Sequence, residues 1–161
     1  MKAQIQMNKN KIKLLIIFVF STLLFCCLSI FFRDLLINNF NDCDFKIFTI
    51  DYIKNYGAAF SLFHTKTNLL ICISIAILLT TLFYITNNIL LFSKQDFLFS
   101  AMLTSGILCN LSERIIDGYV TDYIRLNMVA FPIFNISDLF ICIGAFTLIC
   151  NILFSNEQKT Q

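Results

Sequence analysis

The chain has 161 residues, of which 58% are hydrophobic and 14% charged, with a formal net charge of +2. A soluble domain is about 45–50% apolar and about 25% charged, so this composition excludes an ordinary water-soluble core. The small net charge gives no footprint for nucleic acid. Length admits about four apolar spans of roughly 20 residues each, and hence a single membrane domain over residues 1–161.

Residues 1–13 are polar and carry Lys2, Lys9, Lys11 and Lys13. Residues 14–32 then run without a charge, long enough to cross a bilayer. A cleaved signal peptide would have a shorter apolar region, about 7–15 residues, followed by small residues. This run ends instead on Phe31-Phe32-Arg33, so an uncleaved span is expected. The first polar section covers 33–66, and its stretch Phe45-Lys46-Ile47-Phe48-Thr49-Ile50 has the β-branched and aromatic character of short strands. A small β element is therefore expected over 33–61. It closes on Asn55-Tyr56-Gly57-Ala58-Ala59-Phe60-Ser61, where Gly57 permits a close backbone approach. His64, the lone histidine, reads as a surface residue, and Lys46, Lys54 and Lys66 as solvated loop charges.

The second span is expected at 69–85 and a tight polar turn at 93–96. The third span, 97–111, is less apolar and carries Ser100, Thr104, Ser105 and Gly106, residues that suit close helix packing in lipid. A fourth span covers 139–154, before a polar tail. The 7 cysteines lie mostly in apolar runs, where Cys behaves as a small hydrophobe. No Cys-x-x-Cys motif occurs, and one histidine gives no zinc-ligand spacing. Four spans put both termini on one side. Basic residues divide evenly between the two sides, so the lysines ahead of the first span decide, placing the termini in the cytoplasm. The two large polar sections then face outward together.

Polar and ionisable residues crowd into 110–138. Asn110, Glu113 and Arg114 share one helical face at the end of the third span. Asp122 follows within Tyr119-Val120-Thr121-Asp122-Tyr123-Ile124, flanked by side chains that do not favour its solvation. Gly118 just before it can turn the chain back. Asp138, three residues after Asn135, precedes the fourth span. As a simple helix start, Asn135 or Ser137 would be the cap and Asp138 a first-turn acid. Two acids together can do more. Neighbouring carboxylates cannot both ionise easily, so one retains a proton near neutral pH. The ionised member then takes a proton from water, while the protonated member polarises a carbonyl and later protonates the leaving amine. Acid pairs also serve as relays in proton-coupled membrane carriers, which stand as the alternative reading. Carriers commonly show inverted repeats and broken midplane helices; neither is evident here.

Four segments in order resemble the boxes of the lipoprotein signal peptidases, the type II signal peptidases of bacteria. They are Asn55 to Ser61, Asn110-Leu111-Ser112-Glu113-Arg114, Gly118-Tyr119-Val120-Thr121-Asp122-Tyr123, and Phe134-Asn135-Ile136-Ser137-Asp138. The resemblance implies a membrane all-α fold with four transmembrane helices and a small extracellular-side β cradle. It implies an aspartic endopeptidase of the bacterial plasma membrane. Such an enzyme removes signal peptides from diacylglyceryl-modified prolipoproteins, cutting before the lipidated Cys. The family's catalytic aspartates fall on Asp122 and Asp138. Asn55, Gly57, Asn110, Arg114 and Asn135 would bind substrate or support the dyad. No metal or cofactor is implied. The partners would be the lipid-modified prolipoprotein and membrane lipid, with the enzyme a monomer. The chain departs from the family pattern at four places. Cys109 stands where the family has Gly, Glu113 where it has Asp, Ser137 where it has Ala, and Ser29 where spacing places an acid four residues before a basic residue, here Arg33.

Overall fold

A computed structural model of the chain describes residues 2–58, 62–63 and 66–155. His64, the Ala59-Phe60-Ser61 end of the first box and most of the polar tail lie outside the described residues. The element order is α1 (Lys2–Phe40), β1 (Phe48–Asn55), α2 (Thr67–Asn88), α3 (Lys94–Ile116), β2 (Val120–Leu126) and α4 (Ile136–Ser155). Each apolar run becomes a helix, and each helix outruns its apolar core. α1 extends through the lysine-rich start and past Arg33, so part of the expected polar section is helical.

The helices bury little of their greasiest surface. Phe20, Leu79, Phe83 and Phe146 face outward, whereas Ser29, Ser100, Thr104 and Ser105 are buried. Such an inside-out distribution suits a solvent as apolar as the side chains, where association rests on close packing rather than on hydrophobic exclusion. Apolar windows long enough to cross a membrane lie within Ile5–Phe40 and Thr67–Asn88, and a shorter apolar helical stretch is Ile136–Asn151. α3 is the central helix, in contact with α1, α2 and α4. Its N-terminus at the expected turn carries a reciprocal cap: Asp96 N donates to Ser93 Oγ at 3.2 Å, and Ser93 N to Asp96 Oδ2 at 2.9 Å. At the same end, Asn151 of α4 donates to Asp96.

The β element differs from the expectation in one respect. β1 lies inside the expected 33–61 segment, but its partner is β2, drawn from the polar stretch after α3. The strands are antiparallel, pairing Phe48 with Leu126 and Asn55 with Val120, with an irregularity between Ile50 and Ile53. Gly118, at φ 81°, makes the turn from α3 into β2, a conformation that costs a residue with a Cβ. On its other edge β2 meets Phe134. Ile124 N donates to Phe134 O at 2.8 Å and Phe134 N to Ile124 O at 3.1 Å. This short pairing delivers the start of α4 to the sheet.

Where α4 crosses α3, Gly144 has no room for a side chain. A Cβ there would sit 2.6 Å from the backbone oxygen of Phe99 and 2.8 Å from Leu103 Cβ. Gly144→Ala should therefore destabilise the detergent-solubilised protein by about 1–3 kcal/mol. Phe146→Leu, on the outward face, should not. Thermal unfolding of the two variants in one detergent checks the contrast, and equal midpoints would remove close α3–α4 packing as its cause.

Candidate active site

The turn after α3, the β2 ladder and the start of α4 bring Asp122 and Asp138 to one place. Asp122 is held in β2 between the buried Val120 and Tyr123 and is itself buried. Asp138 occupies the first turn of α4. Asn135 connects them. Its Oδ1 accepts from Asp138 N at 2.9 Å, while its own N donates to Asp138 Oδ2 at 3.1 Å. This is a capping box, so the simple helix-start reading of these residues is correct as far as it goes. The same side chain also reaches outward, where Asn135 Nδ2 donates to Asp122 Oδ1 at 2.9 Å. One carboxamide thus caps α4 and fixes both carboxylates relative to each other.

The other oxygens have donors of their own. Asn110 Nδ2, from α3, donates to Asp138 Oδ1 at 2.7 Å, and Asn55 Nδ2, from the end of β1, donates to Asp122 Oδ2 at 2.8 Å. Asn55 Oδ1 accepts from Gly57 N at 2.9 Å. Arg114 donates to Gly57 O at 3.2 Å and to Asn110 O at 3.4 Å. It therefore tethers the Gly57 loop to α3 and places a positive charge near both acids. Asn55, Gly57, Asn110, Arg114, Asp122, Asn135 and Asp138 form one hydrogen-bonded assembly.

Burial strips water from Asp122 and, with the Asp138 carboxylate nearby, pushes its pKa up to about 7 against the opposing pull of Asn55, Asn135 and Arg114. The site thus holds a carboxyl that changes charge near neutral pH beside a second acid. Both acids open on a cavity of about 470 Å³, within the size range of small-molecule sites. Asn55, Arg114 and the two acids line its polar end. Phe131, Pro132, Ile133, Phe134, Leu139 and Cys142 form its apolar wall.

A second layer of contacts was not legible in the sequence. Glu113 accepts from Arg33 at 2.8 Å through Oε1 and from Thr121 N at 2.6 Å through Oε2. Ser29 and Ser137 hydroxyls meet at 2.6 Å. All four departures from the family pattern therefore sit in one layer of contacts behind the carboxylates, with the Cys109 thiol facing both serines. Asp117 is exposed at the C-terminus of α3, its N bonded to Glu113 O at 2.7 Å, and takes no part.

The architecture is that of bacterial membrane enzymes. A bacterial membrane enzyme solved by the in meso method at 2.3 Å matches with a TM-score of 0.73 at 22% identity, over 88% of this chain and 90% of that one. A second such structure, at 1.9 Å, matches with a TM-score of 0.69 over 84% and 92%. The sequence is more specific than the fold. Residues 13–154 match the signal peptidase (SPase) II family, and the chain belongs to it. It is 30% identical to the lipoprotein signal peptidase of Streptococcus thermophilus over 117 residues, 71% of this chain and 74% of the relative. It is also 30% identical to that of Haemophilus influenzae over 121 residues, 71% and 70% of the two chains.

Asn135 donates to the ionised form of Asp122, so removing it should raise the Asp122 pKa further. In Asn135→Ala the carboxyl of Asp122 should stay protonated above pH 7. The protonated C=O stretch in infrared difference spectra, assigned with Asp122→Asn, should titrate at higher pH than in the wild type. A midpoint that falls or stays put would contradict the hydrogen bond as drawn. Loss of the cap should separately cost about 0.5–2 kcal/mol.

Proposed function

We propose that the chain is an aspartic endopeptidase of the bacterial plasma membrane that removes signal peptides from diacylglyceryl-modified prolipoproteins, cutting before the lipidated Cys. Asp122 and Asp138 are the catalytic pair. Asn55, Gly57, Asn110, Arg114 and Asn135 orient the pair or the substrate backbone. The observation that carries this reading is the shared Asn135: two acids fixed by one carboxamide at the polar end of an apolar cavity. Family membership supports a protease acting on lipoprotein precursors and gives no support to a proton-coupled carrier.

The chemistry follows from the geometry. One carboxylate is ionised and takes a proton from water as the oxygen attacks the scissile carbonyl. The other carboxyl is protonated and hydrogen-bonds that carbonyl oxygen, stabilising the tetrahedral intermediate. That carboxyl then protonates the departing amine nitrogen, the C–N bond breaks as the C=O re-forms, and the pair is left with the single proton taken from water. The pair titrates as a unit, so its two steps belong to both acids. The cavity's apolar wall suits the hydrocarbon near the lipidated cleavage site, and a substrate already anchored in the bilayer would arrive laterally.

In this reading the whole chain is one domain that spans the membrane four times, at about 14–32, 69–85, 97–111 and 139–154. Both termini are cytoplasmic, the β1–β2 cradle is on the extracellular side, and the enzyme works as a monomer surrounded by membrane lipid. α1 and α2 carry the stronger support for spanning. The packing of α3 against both, and of α4 against α3 and α1, supports the other two spans.

Cleavage of a diacylglyceryl-modified prolipoprotein should be lost in both Asp122→Asn and Asp138→Asn, with each variant still inserted and folded. Processing at the wild-type rate by either variant would end the dyad assignment. A raised pKa means that the pair keeps its proton up to about pH 7 and loses it above. Activity should therefore fall as pH rises through that value, and a rate that climbs through the same range would contradict a shared proton. Separately, a reporter fused after Gln161 should read out on the cytoplasmic side.

A further inference from the structure

α1 supplies none of the dyad's direct donors, yet it reaches the site twice from one face. Ser29 and Arg33 are one helical turn apart, so they project on the same side of the helix. Ser29 Oγ meets Ser137 Oγ at 2.6 Å, and both residues are buried, each 5% exposed. Arg33 donates to Glu113, and the other oxygen of Glu113 accepts the backbone N–H of Thr121 at 2.6 Å. Each contact therefore ends on the residue immediately before an aspartate. Ser137 precedes Asp138 on α4, and Thr121 precedes Asp122 on β2. Between the two contacts lies a void of about 10 Å³ bordered by Ser29, Arg33, Glu113, Thr121 and Asn135 among others, about the room of one water.

Neither contact is explained by ordinary helix packing. Buried hydroxyls in an apolar bundle seek partners, but serines inside helices commonly take a carbonyl of the preceding turn. Ser105 and Ser112 of α3 do so here. Ser29 and Ser137 bond across two helices instead. Glu113 is likewise committed at both oxygens, one to a charge and one to a strand. A helix braced at two points fixes the separation of the segments it touches.

We propose that α1 is a brace for the carboxylate pair, with Ser29, Ser137, Arg33 and Glu113 acting as positioning residues that set where Asp138 and Asp122 stand relative to each other. This rests on the dyad reading above. The brace affects the reaction step and not substrate capture, because none of the four side chains lines the apolar cavity. A misplacement of about 1 Å can cost roughly 100-fold in rate, so small shifts should register strongly.

The test is steady-state cleavage of a diacylglyceryl-modified prolipoprotein by the full chain in detergent, with thermal midpoints measured in parallel. Ser29→Ala and Ser137→Ala should each lower kcat by about 10-fold or more, with KM within about twofold of wild type. Each leaves the other buried hydroxyl with only the weak Cys109 thiol as a side-chain partner, so each midpoint should also drop. The double variant removes both hydroxyls and leaves only the weakly polar Cys109 thiol, which keeps Cys26, so its midpoint should recover. Its kcat should stay low. Recovery of kcat together with the midpoint would reduce the serines to a structural pair and overturn the brace. At the second contact, Glu113→Gln keeps an acceptor for Thr121 N but loses the ion pair, and should lose kcat. Arg33→Lys should retain most of the kcat that Arg33→Met loses. A loss confined to KM in these variants would also overturn the proposal. A wild-type protein that leaves the substrate intact while folded would instead fell the peptidase reading itself, a result distinct from any of these.

Discussion

A carboxylate taken out of water must be given donors or give up its charge. Asp122 and Asp138 are placed under both pressures at once, and the side chain of Asn135 is where they are reconciled. Its oxygen is spent on the α4 backbone and its nitrogen on Asp122, so the helix cap and the acid pair are one structure. Asn110 and Asn55 then complete the first donor set, one from the end of α3 and one from the end of β1. Three carboxamides around two acids make a site of low net charge. Carboxamides donate to both acids without carrying a titratable proton of their own. Arg114, a cation beside the acids, bonds to backbone oxygens. A bidentate ion pair there would have lowered the carboxyl pKa. Set back as it is, the guanidinium leaves Asp122 poised near neutrality.

That arrangement depends on three chain segments meeting at the end of the bundle. α3 is packed against the other three helices and carries small residues where α4 lies closest. Ser137 O and the Ile141 side chain would both collide with a Cβ at Gly106, so the start of α4 sits directly on α3, one turn below Asn110. The Gly118 turn then sends β2 back across the bundle end, and the Ile124–Phe134 pairing returns the chain to the α4 N-terminus. The short sheet is too small to be stable alone. Asn55 ends β1, Asp122 lies near the start of β2, and Asn135 follows directly on the Phe134 pairing.

Much of this was legible from the sequence because the polar residues stood out against an apolar background. Four uncharged runs gave four helices, and the polar boxes between them gave the residues of the hydrogen-bonded assembly. The boundaries were less legible. Hydropathy locates an apolar run but not the polar turns a helix adds at each end, so the uncharged run ends at Phe32 while α1 continues to Phe40. β2 has strand character at Val120, Tyr123 and Ile124 but carries no local sign of its partner. Its ladder partner lies some 70 residues earlier in the chain, with Asn55 facing Val120, and a two-stranded ribbon has no short-range signature without a hairpin turn. The reach of Asn135 to Asp122 was likewise hidden, because Asn135 and Asp138 alone explain each other as a cap.

The departures from the family pattern make sense only in pairs. Read singly, Ser29 is an absent acid and Ser137 an intrusive hydroxyl at a helix start. In the fold each is the other's partner, so a polar group introduced at one position is satisfied by the other. Glu113 shows the same logic along a longer path. It has to touch a guanidinium on α1 and a backbone N–H on β2, and the two contacts use different oxygens of one carboxylate. Glu has one methylene more than Asp, which extends the carboxylate toward β2 from a helix that also faces α1. Arg33 brings a wide planar donor group to the other side. The Arg33–Glu113 pair bridges α1 and α3, so the chain at these positions keeps the ground beneath Asp122 and Asp138 connected to the rest of the bundle.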